Sequence, residues 1–177
     1  MKDDFDVTKL EKKTNKRINS KQKGGRFERK IADLFNQKFN TKDFCRTPGS
    51  GAFATTHSLP EHLKIYGDLI TPKNFKYIFE LKSGYNKEGI CNLFHSNSIL
   101  SDMIAQVIRD SKKSKKDFLL IIANDRKDPI VIMPYDEDIK KYVYYNYLFG
   151  EINKERYSIL KLEDLLKLPN EFFLSQD

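Results

Sequence analysis

The sequence predicts an α/β fold in which helices flank a central mixed β-sheet. Residues 27–39 carry apolar side chains at helical spacing, and residues 75–82 alternate as a strand does. Residues 118–123 form a continuous apolar run, which is typical of a strand buried on both faces. Such a strand needs cover on either side, and helices are the elements that supply it.

Each predicted element has a local signal in the sequence. Phe27, Ile31, Leu34 and Phe35 mark the buried face of the first helix, and Thr47-Pro48-Gly49-Ser50-Gly51 is a turn sequence. In chain order the sequence predicts a helix over 25–39, a strand over 43–46, a turn over 47–51, a loop over 52–63, strands over 63–70 and 75–82, a loop over 83–97, a helix from Ser98, strands over 118–123, 130–133 and 157–160, and a helix over 162–168.

The second helix has the clearest beginning. Ser98 is a favourable N-cap. The residues that we expect this helix to bury are Ile99, Leu100, Met103, Ile104, Val107 and Ile108. The tyrosine-rich residues 142–149 fit no single element. Packing in the core or in a dimer is favoured for their rings over stacking on bases.

The composition indicates one domain of a soluble, cytoplasmic protein. The chain has 177 residues, and no apolar run approaches the roughly 20 residues that span a bilayer. The charged N-terminus is not followed by an apolar stretch, so we expect no secretory signal. Two cysteines without a CxxC pair predict neither a disulfide framework nor a structural zinc site.

The charge distribution favours a polyanionic partner. The net charge is +7, and residues 9–23 hold seven basic residues and one acidic residue. We interpret residues 1–22 as a flexible basic arm that contacts phosphates and residues 23–177 as a single domain. A second basic cluster, residues 112–116, falls where positive charge also complements the end of a helix.

Two carboxylates are expected to meet across a hairpin. If residues 63–70 and 75–82 pair about a turn centred on Asn74, Asp68 faces Glu80, with Cβ atoms about 4.5–5.5 Å apart. Two such carboxylates repel unless a divalent cation neutralises them, and Mg²⁺ prefers one or two carboxylates. Lys82 projects from the same face as Glu80. This arrangement suits metal-assisted phosphodiester hydrolysis, although surface ion pairs on an exposed hairpin are the alternative.

Further motifs extend this pattern. The chain contains, in order, Lys23-Gly24-Gly25-Arg26-Phe27-Glu28-Arg29, Arg46-Thr47-Pro48-Gly49-Ser50, Tyr66-Gly67-Asp68 and Phe79-Glu80-Leu81-Lys82. Over residues 23–123 this order resembles the archaeal-type Holliday junction resolvases of the PD-(D/E)xK superfamily. The resemblance implies a restriction-endonuclease-like core, and Mg²⁺-dependent cleavage of branched DNA, with Mn²⁺ as a substitute. It also implies a homodimer that acts in recombination and repair.

The resemblance assigns roles residue by residue. Glu28, Asp68 and Glu80 match the acidic residues of the metal site, Leu81 joins them as a ligand, and Lys82 matches the catalytic lysine. The positions that match or suggest DNA contacts are Arg46, Ser50, Lys23, Arg29 and Gln106.

Two features depart from the archaeal pattern. The segment between Ser50 and Asp68 is longer, and Gly67 stands where the superfamily motif has Pro. Residues 134–177 match nothing in the pattern. The substrate therefore stays open between branched DNA and linear or nicked duplex DNA, and a non-catalytic nucleic-acid-binding domain is a further alternative.

Overall fold

A five-stranded mixed sheet organises the part of the chain that the structure describes. This computed structural model describes residues 20–48, 66–85, 98–125, 127–143, 147–152 and 155–175. Its elements are α1 (Ser20–Phe39), β1 (Cys45–Arg46), β2 (Leu69–Ile70), β3 (Tyr77–Ser83), α2 (Ile99–Ser114), β4 (Asp117–Ala123), β5 (Ile130–Pro134), a 3₁₀ helix (Glu137–Lys141), β6 (Tyr147–Ile152), β7 (Glu155–Lys161), α3 (Leu162–Lys167) and a second 3₁₀ helix (Asn170–Phe173).

The sheet has the strand order β3-β4-β5-β7-β6. β3 and β4 are parallel, in register from Tyr77 opposite Asp117 to Ser83 opposite Ala123, and the other neighbours are antiparallel. Parallel neighbours need a crossover connection, and α2 supplies it. The predicted α/β fold with a mixed sheet is confirmed.

Helices cover both faces of the sheet. On one face, α1 packs against Tyr77, Phe79 and Leu81 of β3, and on the other, α2 packs against Ile78. β4 contributes alternate residues to the two clusters, Leu119 and Ile121 to the first and Phe118, Leu120 and Ile122 to the second. The prediction of a strand buried on both faces is thus confirmed.

Aromatic packing anchors α1 to the sheet. Phe35 is fully buried, and its ring lies 4.8 Å from that of Phe79 and 5.9 Å from that of Phe75, both edge to face. The ring of Phe173 lies 5.8 Å away, so the C-terminal segment joins the same cluster. Lys38 donates hydrogen bonds to the carbonyls of Leu166 and Leu168, which holds the end of α3 against α1.

Two boundaries differ from the prediction. α1 begins at Ser20, five residues before the predicted start at residue 25. The prediction missed this first turn because the turn is polar and shows no apolar periodicity. In α2, Ser98 is the N-cap as predicted, but Ile99 is 50% exposed. Ile99 lies at the margin of the stripe formed by Leu100, Met103 and Val107, so its expected burial was wrong.

The predicted hairpin is also wrong in its pairing. Within the described residues, β2 spans only Leu69–Ile70 and pairs antiparallel with β1, opposite Cys45 and Arg46. Only a single backbone hydrogen bond joins Asp68 to Phe79 of β3. Within the described residues no regular β2–β3 ladder forms, and Asp68 reaches β3 through its backbone N–H and its carboxylate.

The remaining strands agree with the expectation apart from their ends. β5 and β7 each extend the predicted strand by one or more residues. The ambiguous tyrosine-rich segment, residues 142–149, contributes its last three residues to the edge strand β6 (Tyr147–Ile152). Tyr142 is 53% exposed, so in a single chain it is not part of the core. The predicted flexible arm lies mostly outside the described residues. None of the described helices is long and apolar enough to cross a membrane.

We predict that the aromatic cluster dominates the stability of the α1 face. Phe35→Ala should lower the free energy of unfolding by about 3–5 kcal/mol, because it removes a fully buried ring. Ile99→Ala, at an exposed position, should change it by less than about 0.5 kcal/mol. Urea denaturation of both variants measures this, and equal losses would contradict the packing described.

Candidate active site

β3 carries two oppositely charged side chains on the face that α2 covers. Glu80 is 5% exposed, and its Oε1 lies 2.5 Å from the ammonium nitrogen of Lys82. Gln106 of α2 donates from Nε2 to Glu80 Oε1 at 3.1 Å and accepts from Lys82 Nζ at 3.5 Å. Gln106 therefore holds both side chains from the helix side.

Asp68 lies at the edge of β3, on the side away from β4. Its backbone N–H donates to the carbonyl of Phe79 at 2.7 Å, and its Oδ2 accepts from the N–H of Leu81, also at 2.7 Å. These two bonds place the Asp68 carboxylate between the backbone positions of Glu80 and Lys82. The predicted meeting of Asp68 and Glu80 is therefore present, although a different arrangement of strands produces it.

Gly67 makes this close approach possible. Its φ is +83°, and a Cβ built there would lie 2.5 Å from the carbonyl oxygen of Phe79. Proline, whose φ is fixed near −65°, cannot adopt this conformation, and any other side chain would collide with β3. The hydroxyl of Thr47 donates to the carbonyl of Gly67 and secures the turn.

The acidity of Asp68 reflects its surroundings. Burial raises the pKa of Asp68, and the nearby Glu80 carboxylate raises it further, with a smaller contribution from Glu28. The hydrogen bond from Leu81 and the charge of Lys82 act in the opposite direction, and the resulting pKa is about 7. Any added positive charge nearby would therefore stabilise the ionised form of Asp68.

Lys82 keeps its charge at neutral pH. Burial lowers the pKa of Lys82, but the charge of the Glu80 carboxylate and the hydrogen bond to it raise the pKa, as does Asp68. The net pKa lies above the ordinary value for lysine. A positive group therefore stays fixed beside the carboxylates.

Glu28 reaches the same edge from α1. Glu28 is 8% exposed, and its Oε2 accepts from Nε of Arg46 in β1. Gly25 lies one turn earlier, where a Cβ would be 3.5 Å from Cζ of Arg46. A Cβ at Gly25 would make an ordinary van der Waals contact there, so the guanidinium of Arg46 lies directly over the helix.

The donor set fits a divalent cation of the Mg²⁺ type. Such ions take oxygen ligands, commonly one or two carboxylates together with water and phosphate oxygens. Asp68 and Glu80 supply the carboxylates. The carbonyl of Leu81 points to the same strand edge as its N–H, which binds Asp68. Among the described residues no group of three acidic, histidine or cysteine side chains is placed to hold a metal. Glu28 forms an ion pair with Arg46.

The candidate DNA-binding residues fall in different places. Arg46 and Arg29 approach each other over Gly25, and Gln106 contacts Glu80 and Lys82. Lys23 pairs with Asp125, beyond the end of β4. Ser50 lies outside the described residues.

Sequence analysis missed three residues beside Arg29 and Arg46. Lys21, Gln22 and Arg26 line the same cavity as these two arginines. The signal was present, since residues 21, 22, 25, 26 and 29 share one side of a helix. It was not used, because the helix was expected to begin only at residue 25.

Comparison with known proteins identifies the class. A family model described as "Phage putative PDDEXK endonuclease" matches residues 19–173. The chain therefore belongs to this phage PDDEXK endonuclease family, a nuclease family of the PD-(D/E)xK superfamily, and its mixed sheet and flanking helices are consistent with the restriction-endonuclease-like fold expected from the sequence. The chain is also similar to Protein D14 of Escherichia phage T5, with 31% identity over 115 residues, 62% of this chain and 67% of the relative. No solved structure matches it.

We predict that Asp68 makes the stability of the metal-free protein depend on pH. A carboxyl whose pKa is higher in the folded than in the unfolded state destabilises the fold as pH rises from its ordinary pKa of 3.8 towards about 7. Asp68→Asn removes this penalty. The gain in unfolding free energy should grow by on the order of 2 kcal/mol between pH 5 and pH 8.

Urea denaturation in EDTA at the two pH values measures this gain. Asp33→Asn, at an exposed position of α1, is the matched control and should show no comparable pH dependence. A gain for Asp68→Asn that is the same at both pH values would contradict the assigned pKa.

Proposed function

We propose that this nuclease is a metal-dependent endonuclease that hydrolyses phosphodiester bonds in DNA. The observation that carries the proposal is the position of Asp68, whose carboxylate is bound to the backbone N–H of Leu81 and so lies beside Glu80 and Lys82. The family match and the net charge of +7 support a polyanionic substrate.

Asp68, Glu80 and the carbonyl of Leu81 are the groups that would hold Mg²⁺, or Mn²⁺ in its place. Glu28 is a further candidate ligand, at present paired with Arg46. When bound, such an ion acidifies water and withdraws charge from the phosphate. Burial and, after it, the Glu80 carboxylate raise the pKa of Asp68 to about 7. A cation held beside Asp68 would offset both effects.

The side chains of the protein have separate tasks in this scheme. Lys82 is charged and partly buried, so its ammonium group can stabilise the negative charge that grows on the phosphate during hydrolysis. Gln106 fixes the positions of Glu80 and Lys82. Arg46 binds the phosphate backbone near the cut.

For the substrate we favour branched DNA. The motif order resembles that of archaeal-type Holliday junction resolvases, which implies a homodimeric enzyme of recombination or repair. We also propose that it acts in the cytoplasm. A nuclease that cuts linear or nicked duplex DNA is compatible with the same site. The preference among these substrates is therefore the first property to measure.

We predict Mg²⁺-dependent cleavage that is fastest on a four-way junction. The test is a comparison of a junction with duplex, nicked duplex and single-stranded DNA of matched sequence, in Mg²⁺, Mn²⁺ and EDTA. EDTA should abolish cleavage. Faster cutting of linear or nicked duplex DNA would overturn the junction assignment, and cleavage unaffected by EDTA would overturn the metal site.

We predict that Lys82 acts on the transition state. Lys82→Ala should slow single-turnover cleavage at saturating enzyme by on the order of a hundredfold to a thousandfold, with little change in DNA affinity. Lys82→Arg should not restore the rate fully, because a planar guanidinium is a poor replacement for a compact ammonium group.

The control for Lys82 is Lys112→Ala, since Lys112 is exposed in the last turn of α2 and lies outside the proposed catalytic centre. It should leave the single-turnover rate unchanged. A Lys82→Ala variant that cuts at the wild-type rate would remove Lys82 from the catalytic centre.

A further inference from the structure

The run of lysines at the end of α2 has no part in the candidate active site. Residues 112–116 comprise four lysines and one serine. Lys112 and Lys113 lie in the last turn of α2, where positive charge complements the negative end of the helix dipole. Lys115 and Lys116 come after this turn, so the helix dipole does not account for their charge.

A cavity of about 320 Å³ lies where α2 ends and where β3 and β4 begin. The residues that line it are Lys76, Ser111, Lys115, Lys116, Asp117 and Ser175. Its volume is at the lower end of the range typical of small-molecule sites, roughly 300–1,000 Å³. A strand rises about 3.3 Å per residue, so Lys76 lies on the order of 20 Å from Lys82 along β3. The cavity is therefore separate from the candidate active site.

The backbone after α2 fixes the two lysines that follow the helix. Lys115 has a φ of +56°, in the left-handed region that residues other than glycine seldom adopt. The hydroxyl of Ser111 donates to the carbonyl of Lys116 at 2.6 Å, and the N–H of Lys116 donates to the hydroxyl of Ser114 at 3.3 Å. These bonds hold the turn that brings Lys115 and Lys116 to the cavity.

The charges of Lys115 and Lys116 are not balanced by a carboxylate partner among the described residues. The ammonium group of Lys116 has the hydroxyl of Thr71 as its partner, at 3.5 Å, and burial lowers the pKa of Lys116. The side chain of Lys115 forms no hydrogen bond or ion pair with any residue that the structure describes. Lys76, in contrast, lies 3.9 Å from Asp136. Two positive charges of the cavity therefore remain available to a ligand.

We propose that this cavity binds a phosphate monoester in its dianionic form, with Lys115 and Lys116 as the main ligands. A phosphate monoester carries nearly two negative charges at neutral pH, which matches the two unbalanced ammonium groups. Each phosphodiester of a continuous DNA strand carries only one charge. The ligand is therefore a free phosphate ester or the phosphorylated end of a strand. This proposal does not depend on the proposed nuclease activity.

The test follows the backbone amides of the full chain by heteronuclear NMR in EDTA at constant ionic strength. The added probes are inorganic phosphate, methyl phosphate and dimethyl phosphate. The first two should cause saturable shifts of the amide signals of residues 115–117, and dimethyl phosphate should bind on the order of tenfold more weakly, because it carries one charge. Equal binding of the diester would overturn the proposed charge match. Without saturable shifts at these amides, the site does not exist.

Substitution of the lysines tests which groups bind the phosphate. Lys115→Gln and Lys116→Gln should each weaken methyl phosphate binding on the order of tenfold, because each removes a charge-assisted hydrogen bond. Lys112→Gln and Lys113→Gln are the matched controls, since both lysines are exposed in the same run but do not line the cavity. The controls should leave the affinity nearly unchanged, because salt screens exposed charges. An equal loss in all four variants would indicate diffuse attraction and overturn the cavity as a site.

The source of the phosphate is resolved by a nucleoside monophosphate and by short single strands that end in a phosphate or in a hydroxyl group. Tighter binding of the nucleoside monophosphate assigns the cavity to a free ester, and tighter binding of the phosphorylated strand assigns it to a strand end. A strand with a terminal hydroxyl that shifts residues 115–117 as strongly would overturn the proposal. Shifts confined to residues 21–29, beside the arginine-lined cavity, would also overturn it.

Discussion

The negative charge of three carboxylates at one edge of β3 is the physical constraint on which the candidate active site depends. Glu28, Asp68 and Glu80 approach this edge from three different elements, and their mutual repulsion must be offset. Arg46 neutralises Glu28, and Lys82 neutralises Glu80. Asp68 has only a backbone N–H and the more distant charge of Lys82, so the remaining deficit of positive charge is concentrated on it. This deficit is what makes the edge suitable for a divalent cation.

Arg46 and Lys82, the side chains that neutralise Glu28 and Glu80, are also groups that a phosphate would attract. Arg46 pairs with Glu28 through its Nε and also lines the cavity along α1. If DNA binds as proposed, a phosphate at Arg46 would compete with Glu28 for this guanidinium. On the proposed function, a strand bound in the cavity would weaken the Glu28–Arg46 pair and return negative charge to the metal site. The affinities for metal and for DNA would then be linked, and such linkage acts equally in both directions.

The elements with strong periodicity could be predicted from the sequence. The buried face of α1, the alternation of β3, the Ser98 cap and the burial of β4 each follow from local pattern. The polar first turn of α1 has no such pattern, and Lys21 and Gln22 were assigned to an arm for that reason. Strand pairing also could not be predicted, because period-two alternation does not say which neighbour a strand will choose. The roles of the site residues stay predictions.

The position of Asp68 depends on backbone contacts. These contacts explain how the Asp68 motif accommodates Gly67 where the superfamily motif has Pro. The N–H of Thr47 donates to the carbonyl of Asp68 at 2.9 Å, while Phe79 and Leu81 hold Asp68 from the other side. These anchors lie on β3 and directly after β1, all within the residues that the structure describes. Gly67 is required because the approach to Phe79 leaves no space for a Cβ. The glycine that departs from the superfamily motif therefore serves the same end as the motif itself, which is to present one carboxylate at the edge of β3.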